Sequence, residues 1–142
     1  MVKSRDLGYE KEIGRHIDDM ISVLKIFQAQ DEYAVQDYLA IERALQVLIE
    51  SLIGLGRYVL KIGFERNVSK SGEVFDELVR HKAMTVVDHG VCRQMVGYRN
   101  VLVHDYLNVN PAITRSIVET GEFEKIRELA TTLLHNLSAF SE

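Results

Sequence analysis

The sequence has few of the residues that cross-link, break or anchor a chain. Its 142 residues include one cysteine, one proline and no tryptophan. The lone Cys92 cannot form a disulfide within the chain, and no paired Cys and His spacing builds a zinc site, which predicts a reducing, cytoplasmic setting and a core role for this thiol. Acidic residues outnumber basic ones by 21 to 17, so overall charge does not hold the chain on nucleic acid.

Long uncharged runs are also missing. The most apolar stretch, residues 47–62, contains Glu50, Arg57 and Lys61 and falls short of the roughly twenty apolar residues of a membrane span. Charges within residues 3–12 exclude the apolar core of a signal peptide. We therefore predict one domain over residues 1–142, with about residues 1–8 as a flexible N-terminus and no membrane segment.

Apolar residues recur at helical spacing along the whole chain. The predicted stripes are Ile13, Ile17, Met20, Leu24 and Phe27; Tyr38, Ile41, Leu45, Leu48, Leu52, Leu55, Val59 and Ile62; Val74, Phe75, Leu78 and Val79; Val87, Val91, Met95, Tyr98 and Leu102; and Ile113, Ile117, Ile126, Ala130, Leu133, Leu137 and Phe140. They predict helices over about 9–29 and 33–65, a short one ending near 80–81, one from Thr85 to about 103–107, and one starting at Pro111. Asn110 is the expected N-cap of the last helix, and Gly121 is expected to bend or interrupt it.

These helices predict an all-α fold, an antiparallel four-helix bundle with an additional short helix. Ile49 and Ile53 widen the stripe of the second helix beyond one seam. A wide stripe favours a symmetric homodimer, because a second copy would cover the remaining apolar surface.

Metal and nucleotide motifs are absent, and we predict neither a metal nor a cofactor. Glu12 with His16 and Glu77 with His81 stand four apart, whereas a di-iron bundle uses Glu-x-x-His; we interpret both as surface pairs. No phosphate-binding glycine loop occurs, and the Gly-Leu-Gly segment at 54–56 lies in a helical pattern, which indicates close approach of a neighbouring helix.

Arg, His and Tyr side chains are concentrated at the end of the fourth helix, in an R-x4-H-x-Y string. On an ideal helix Arg99 and Tyr106 nearly superpose, whereas His104 lies about 140° around the axis from Arg99. The three side chains therefore do not share a face. Either the helix ends before His104 and the turn swings the imidazole back, or a second copy of the chain completes the site.

This set of side chains suits metal-free RNA cleavage, in which a 2′-hydroxyl attacks the adjacent phosphorus. His104 can act as base or acid near neutral pH, and the Arg99 guanidinium can stabilise the developing charge. One imidazole does not easily serve as both acid and base, but two copies facing each other would supply both. The alternative is structural: the same residues can cap a helix C-terminus and pack an aromatic ring.

The segment MVGYRNVLVHDY, with ERALQVLIESL and EVFDELV before it, resembles the HEPN superfamily, and more narrowly the HepT toxins of MNT/HEPN toxin–antitoxin pairs. The resemblance covers nearly the whole chain. It implies a helical, homodimeric, metal-independent ribonuclease toxin with its site in the dimer cleft. It also implies a nucleotidyltransferase antitoxin of the MNT type, which neutralises the toxin by transferring AMP to a tyrosine.

The resemblance assigns roles to four residues, and local chemistry suggests a role for Asp105. Arg99 and His104 match the catalytic pair, and Tyr106 matches the tyrosine that receives AMP. Asn100 fills a polar position that would orient substrate or His104. Asp105 either favours a protonated His104 or caps the chain locally.

The site residues and the resemblance predict two alternative functions. The first is a ribonuclease toxin that cleaves RNA (tRNA or mRNA) and leaves a 2′,3′-cyclic phosphate. The second is a non-catalytic helical subunit that binds a nucleotidyltransferase and offers it a substrate. A basic stretch of Arg57, Lys61 and Arg66 is either a solvated helix face, which we favour, or a guide for RNA.

Overall fold

A computed structural model describes residues 4–140 of the chain, with side chains as far as Ser138. Its helices are α1 (Leu7–Gln28), α2 (Val35–Phe64), α3 (Ser71–Arg80), α4 (Val86–His104), α5 (Pro111–Thr120) and α6 (Lys125–Phe140), with single 3-10 turns at Tyr106–Asn108 and Glu122–Glu124. No strand occurs within these described residues. The predicted all-α fold is confirmed, while residues 1–3 and the Phe140 side chain lie outside what is described.

The predicted fifth helix is two helices. Gly121 ends α5 in the left-handed conformation, with φ of 74°, and a 3-10 turn then leads into α6. A residue without a Cβ adopts this conformation at little cost, which explains the interruption expected there. The predicted N-cap Asn110 is confirmed, because its side chain accepts from the Ala112 amide, and Thr85, at the predicted start of the fourth helix, accepts from the Asp88 amide.

The long helix α2 forms the centre of the molecule and packs against α1, α3, α4 and α6. Its buried side chains include Ile41, Leu45, Leu48, Ile49, Leu52, Ile53, Leu55, Val59, Leu60 and Ile62. Ile49 and Ile53, which widen the stripe, are covered by other helices of the same chain. The width of the stripe is therefore explained within one protomer and gives no separate evidence for a dimer.

Close packing of α2 on α3 depends on Gly56. A Cβ at this position would lie 2.6 Å from Val74 Cγ1, closer than real side chains approach, and 3.3 Å from Leu78 Cδ1, which is a tight contact. The predicted close helix approach is confirmed at this position.

Three predicted surface or core positions are wrong. Val87 is 78% exposed and Ile113 is 51% exposed, because the buried side of each helix is turned toward Cys92 and Thr114 instead. Glu77 is buried rather than part of a surface pair, because Arg66, Arg80 and His81 surround its carboxylate.

Within residues 4–140, no helix has the length and apolar content required to cross a membrane.

Candidate functional site

The motif residues stand on both sides of the point where α4 ends. Asp105 leaves the helix with φ of −146°, and its carboxylate accepts a 2.8 Å hydrogen bond from Asn108 Nδ2. The Asn108 amide also donates to the Asp105 carbonyl, at 2.9 Å. The carboxylate is thus held by a nearby side-chain amide, and the backbone bond closes the 3-10 turn. Of the two roles considered for Asp105, the observed hydrogen bonds are those of a local cap.

His104 is the last residue of α4, so the helix does not end before it. Arg99 belongs to the same helix, and five residues of regular helix place the two side chains about 140° apart. His104 is exposed, and no side chain of residues 4–138 forms a hydrogen bond or ion pair with it. A single protomer therefore presents the imidazole to solvent without bringing it to the guanidinium.

Arg99 faces back toward α2. It lines a cavity of about 210 Å³ together with Glu50, Ile53, Arg57 and Ser71. The Arg99 Nε atom is buried, with no hydrogen-bond partner among the described residues. A buried donor without a partner is costly, and an oxygen atom of a bound anion would satisfy it. Asn100, the next residue, is exposed.

Tyr106 begins the 3-10 turn after α4 and is 48% exposed. Its hydroxyl donates a 2.7 Å hydrogen bond to Glu42 Oε1 on α2. This bond to a carboxylate raises the pKa of the Tyr106 phenol. Sequence reasoning missed Glu42, because only the antiparallel register of α2 and α4 brings it to the turn, and no local spacing marks it.

Arg99 and Tyr106 lie at different levels along α2. Tyr106 contacts Glu42, whereas Arg99 shares its cavity with Glu50, and eight residues of helix separate these two glutamates by about 12 Å. Seven residues of helix rise by about 10 Å, so this offset agrees with the near superposition around the axis expected for Arg99 and Tyr106, and both side chains face α2.

Exposed apolar side chains occur in the last turn of α4, in the turn after it and on the nearby part of α2. Val103 is 42% exposed and Leu107 is 96% exposed, on either side of His104 and Tyr106 in the chain. Leu39, exposed by 53%, lies one turn before Glu42 on α2. Exposed apolar side chains clustered beside polar groups are typical of interaction sites.

Cys92, also on α4, is structural. Cys92 is fully buried, which confirms its core role, and burial raises the pKa of its thiol to about 12, so that the nucleophilic thiolate is disfavoured. Among residues 4–140, no cluster of three or more His, Cys, Asp or Glu side chains is placed to hold a metal ion.

A scan against protein-family models matches residues 13–133 to the family described as "Ribonuclease HepT-like". The chain therefore belongs to the HepT-like ribonuclease family, as the resemblance of its motif predicts. A search of curated proteins finds no match.

Solved structures share the fold at low sequence identity. A toxin–antitoxin structure with AMP-PNP matches with a TM-score of 0.79 and 18% identity, covering 92% of this chain and 99% of that one. A tri-AMPylated HEPN toxin of Shewanella oneidensis, in complex with an MNT antitoxin, matches with a TM-score of 0.75 and 20% identity over 90% and 98% of the two chains. The cytosolic protein YutE of Bacillus subtilis, of unknown function, matches with a TM-score of 0.73 and 18% identity over 93% of each chain.

Proposed function

We propose that this protein is the toxin of a toxin–antitoxin pair and cleaves RNA without a metal ion, in a cleft between two copies of the chain. The proposal rests mainly on one observation, the separation of the Arg99 and His104 side chains around the end of α4. Arg99 has a buried Nε atom without a partner, and His104 is exposed on another face. Two copies related by a two-fold axis would bring both pairs of side chains into one cleft.

The reaction follows from these side chains. One His104 takes the proton of the ribose 2′-hydroxyl, whose oxygen attacks the adjacent phosphorus. His104 of the partner subunit gives a proton to the departing 5′-oxygen. Arg99 neutralises the charge that develops on the non-bridging oxygens. The products are a 2′,3′-cyclic phosphate and a 5′-hydroxyl, and the two imidazoles exchange their protonation states.

The exposed apolar side chains support the homodimer. Val103, Leu107 and Leu39 lie at and near the end of α4, so a second copy seated there would bury them and place the two His104 side chains near each other.

Tyr106 is the proposed acceptor of AMP from an MNT-type nucleotidyltransferase antitoxin. The phenol is exposed, and its oxygen would attack the α-phosphorus of ATP with loss of pyrophosphate and of the phenolic proton. The product carries a phosphodiester charge beside Glu42, and it lacks the hydrogen that Tyr106 now donates to that carboxylate. The added charge and bulk would repel RNA from the cleft. The two toxin–antitoxin structures with the same fold support this assignment.

The test is cleavage of total tRNA and of a messenger RNA by purified protein in EDTA, with analysis of the product ends. We expect 2′,3′-cyclic phosphate ends from the wild type and a loss of about 10²–10⁴-fold in rate for His104→Ala. His89→Ala is the matched control, because His89 lies on the same helix but contacts Asp76. Equal rates for His104→Ala and the wild type would contradict the catalytic assignment.

The alternative, a non-catalytic subunit of a nucleotidyltransferase, is separated by expressing the chain alone. A toxin arrests growth and its RNA is cut, whereas a non-catalytic subunit leaves growth and RNA unchanged while still forming a complex with the nucleotidyltransferase.

A further inference from the structure

We propose that a groove next to the Arg99 cavity binds the single-stranded RNA that flanks the scissile phosphate. This inference rests on the proposed ribonuclease function. The groove, here called the Arg57 groove, has a volume of about 840 Å³ and opens to solvent between the start of α1, the second half of α2 and the segment joining α2 to α3. The side chains that matter for the argument are Tyr9, Arg57, Tyr58, Lys61, Asn67 and Ser69.

Arg57 connects the groove to the candidate site. It lines the Arg57 groove on one side and the small Arg99 cavity on the other. Its Nε donates to the Val68 carbonyl at 3.1 Å, and its Nη2 donates to the Ser69 carbonyl at 2.7 Å and to Ser71 Oγ at 3.2 Å. These bonds fix the plane of the guanidinium. A strand whose scissile phosphate sits at Arg99 would therefore pass Arg57 next.

The path along α2 from the Arg99 cavity to the Arg57 groove has the length of a short oligonucleotide. Glu50, Ile53, Arg57 and Lys61 follow one another at spacings of three and four residues, so they lie on one face of α2. Eleven residues from Glu50 to Lys61 span about 16 Å, and at about 3.4 Å per stacked nucleotide this is the length of about five nucleotides.

The chemistry of the lining matches single-stranded nucleic acid. Tyr9 and Tyr58 pack with ring centroids 4.8 Å apart, which places an aromatic surface in the wall. Lys61 is exposed, and no carboxylate of residues 4–138 pairs with it. Cations beside aromatic rings are the usual combination in proteins that hold single strands without reading their sequence.

Few acidic side chains lie near the Arg57 groove and the Arg99 cavity, and those that do have partners within the chain. Asp6, on the groove wall, uses its carboxylate to cap α1 by accepting from the Tyr9 amide. Glu50, at the cavity end, faces Gln46 Nε2 at 3.5 Å. Arg66 takes no part, because its guanidinium lies 3.6 Å from Glu77 on α3. Arg57 and Lys61 are thus separated from the third member of the predicted basic stretch.

The experiment measures binding of a fluorescent twelve-nucleotide 2′-O-methyl oligouridine, which lacks the attacking hydroxyl, by anisotropy at several salt concentrations. We expect Lys61→Gln to weaken binding by on the order of tenfold at low salt and to reduce the slope of log K against log salt by about 0.7, the value for one phosphate contact on a single strand. Lys82→Gln is the matched control, because Lys82 is exposed in the turn after α3, away from the groove.

A second variant, Tyr9→Leu, removes a ring from the wall and should weaken binding of the same probe without changing the salt slope. Wild-type affinity and slope for Lys61→Gln, in a protein that cleaves RNA, would overturn the groove proposal and leave the ribonuclease function standing. A wild type that neither binds the probe nor cleaves RNA would overturn both. Lys61→Gln carries the test if Tyr9→Leu does not fold.

Discussion

Two tyrosines close together in the chain belong to different environments. The Tyr98 ring packs against the core inside α4, and its hydroxyl shares a 2.7 Å hydrogen bond with Thr114 Oγ1, a fully buried side chain of α5. Tyr106 lies just beyond the helix, is 48% exposed, and binds Glu42. Tyr98 helps to hold α4 in the bundle, whereas His104 at the end of α4 and the turn after it present polar groups to solvent. Tyr98 therefore contributes to stability, whereas Tyr106 is available for the proposed modification.

The largest effect that this comparison predicts is on catalysis. Arg99→Ala should slow RNA cleavage by about 10²–10³-fold, because it removes the cation that stabilises the developing charge. Unfolding stability should change little, since loss of the unpaired buried Nε offsets part of the lost packing. Cleavage rates and urea unfolding check both statements, with the exposed Arg93→Ala on the same helix as control. A large loss of stability with unchanged cleavage would reverse the assignment.

The next effect is on stability. Tyr98→Phe should lower the free energy of unfolding by about 1–3 kcal/mol, because it leaves the buried Thr114 hydroxyl without a partner. Adding Thr114→Val should recover part of that loss, since both polar groups are then gone. Urea denaturation of the two variants measures it, and cleavage should stay near the wild-type rate. If the double variant is less stable than Tyr98→Phe by a further similar amount, the hydrogen bond between Tyr98 and Thr114 does not stabilise this site.

High pH should sharpen the same contrast. Burial raises the pKa of Tyr98 to about 12, above its ordinary value of 10.0. The unfolded chain therefore releases this proton at a lower pH than the folded one. The contribution of Tyr98 to the free energy of unfolding is fully present below pH 10 and is lost as the pH rises from about 10 to 12. Tyr98→Phe should show a shallower fall over this window, as measured by urea unfolding at a series of pH values. An unchanged slope would mean that Tyr98 does not contribute.

The smallest effect on stability is expected at the second tyrosine. Tyr106→Phe should leave the free energy of unfolding almost unchanged, because the side chain is half exposed and its bond to Glu42 is in contact with solvent. The same change should abolish incorporation of AMP from labelled ATP by the antitoxin, while Tyr98→Phe should leave it intact. AMP incorporation into Tyr106→Phe would place the modification elsewhere.

Much of the fold could be predicted from spacing alone, because stripes such as Tyr38 to Ile62 define a buried helix face without reference to the rest of the chain. The ends of helices followed from local chemistry at Thr85, Asn110 and Gly121. Val87 and Ile113 were misplaced because their helices have apolar residues on more than one side, and only packing decides which side is buried.

The candidate site was less accessible to sequence reasoning. The R-x4-H-x-Y string identified Arg99, His104 and Tyr106, since their chemistry is visible in the chain itself. The contact of Tyr106 with Glu42, and the cavity that Arg99 shares with Arg57, depend on the register between α2 and α4. That register is a tertiary property, which no periodicity within either helix determines.

The composite site is tested most directly by mixed dimers. One copy carries wild-type His104 and the other carries His104→Ala, each with a different affinity tag, and sequential purification isolates dimers that contain one of each. If both imidazoles act on the same phosphate, the mixed dimer should cleave RNA nearly as slowly as the His104→Ala dimer. A mixed dimer with half the wild-type activity would show that each chain works alone and would contradict the shared cleft.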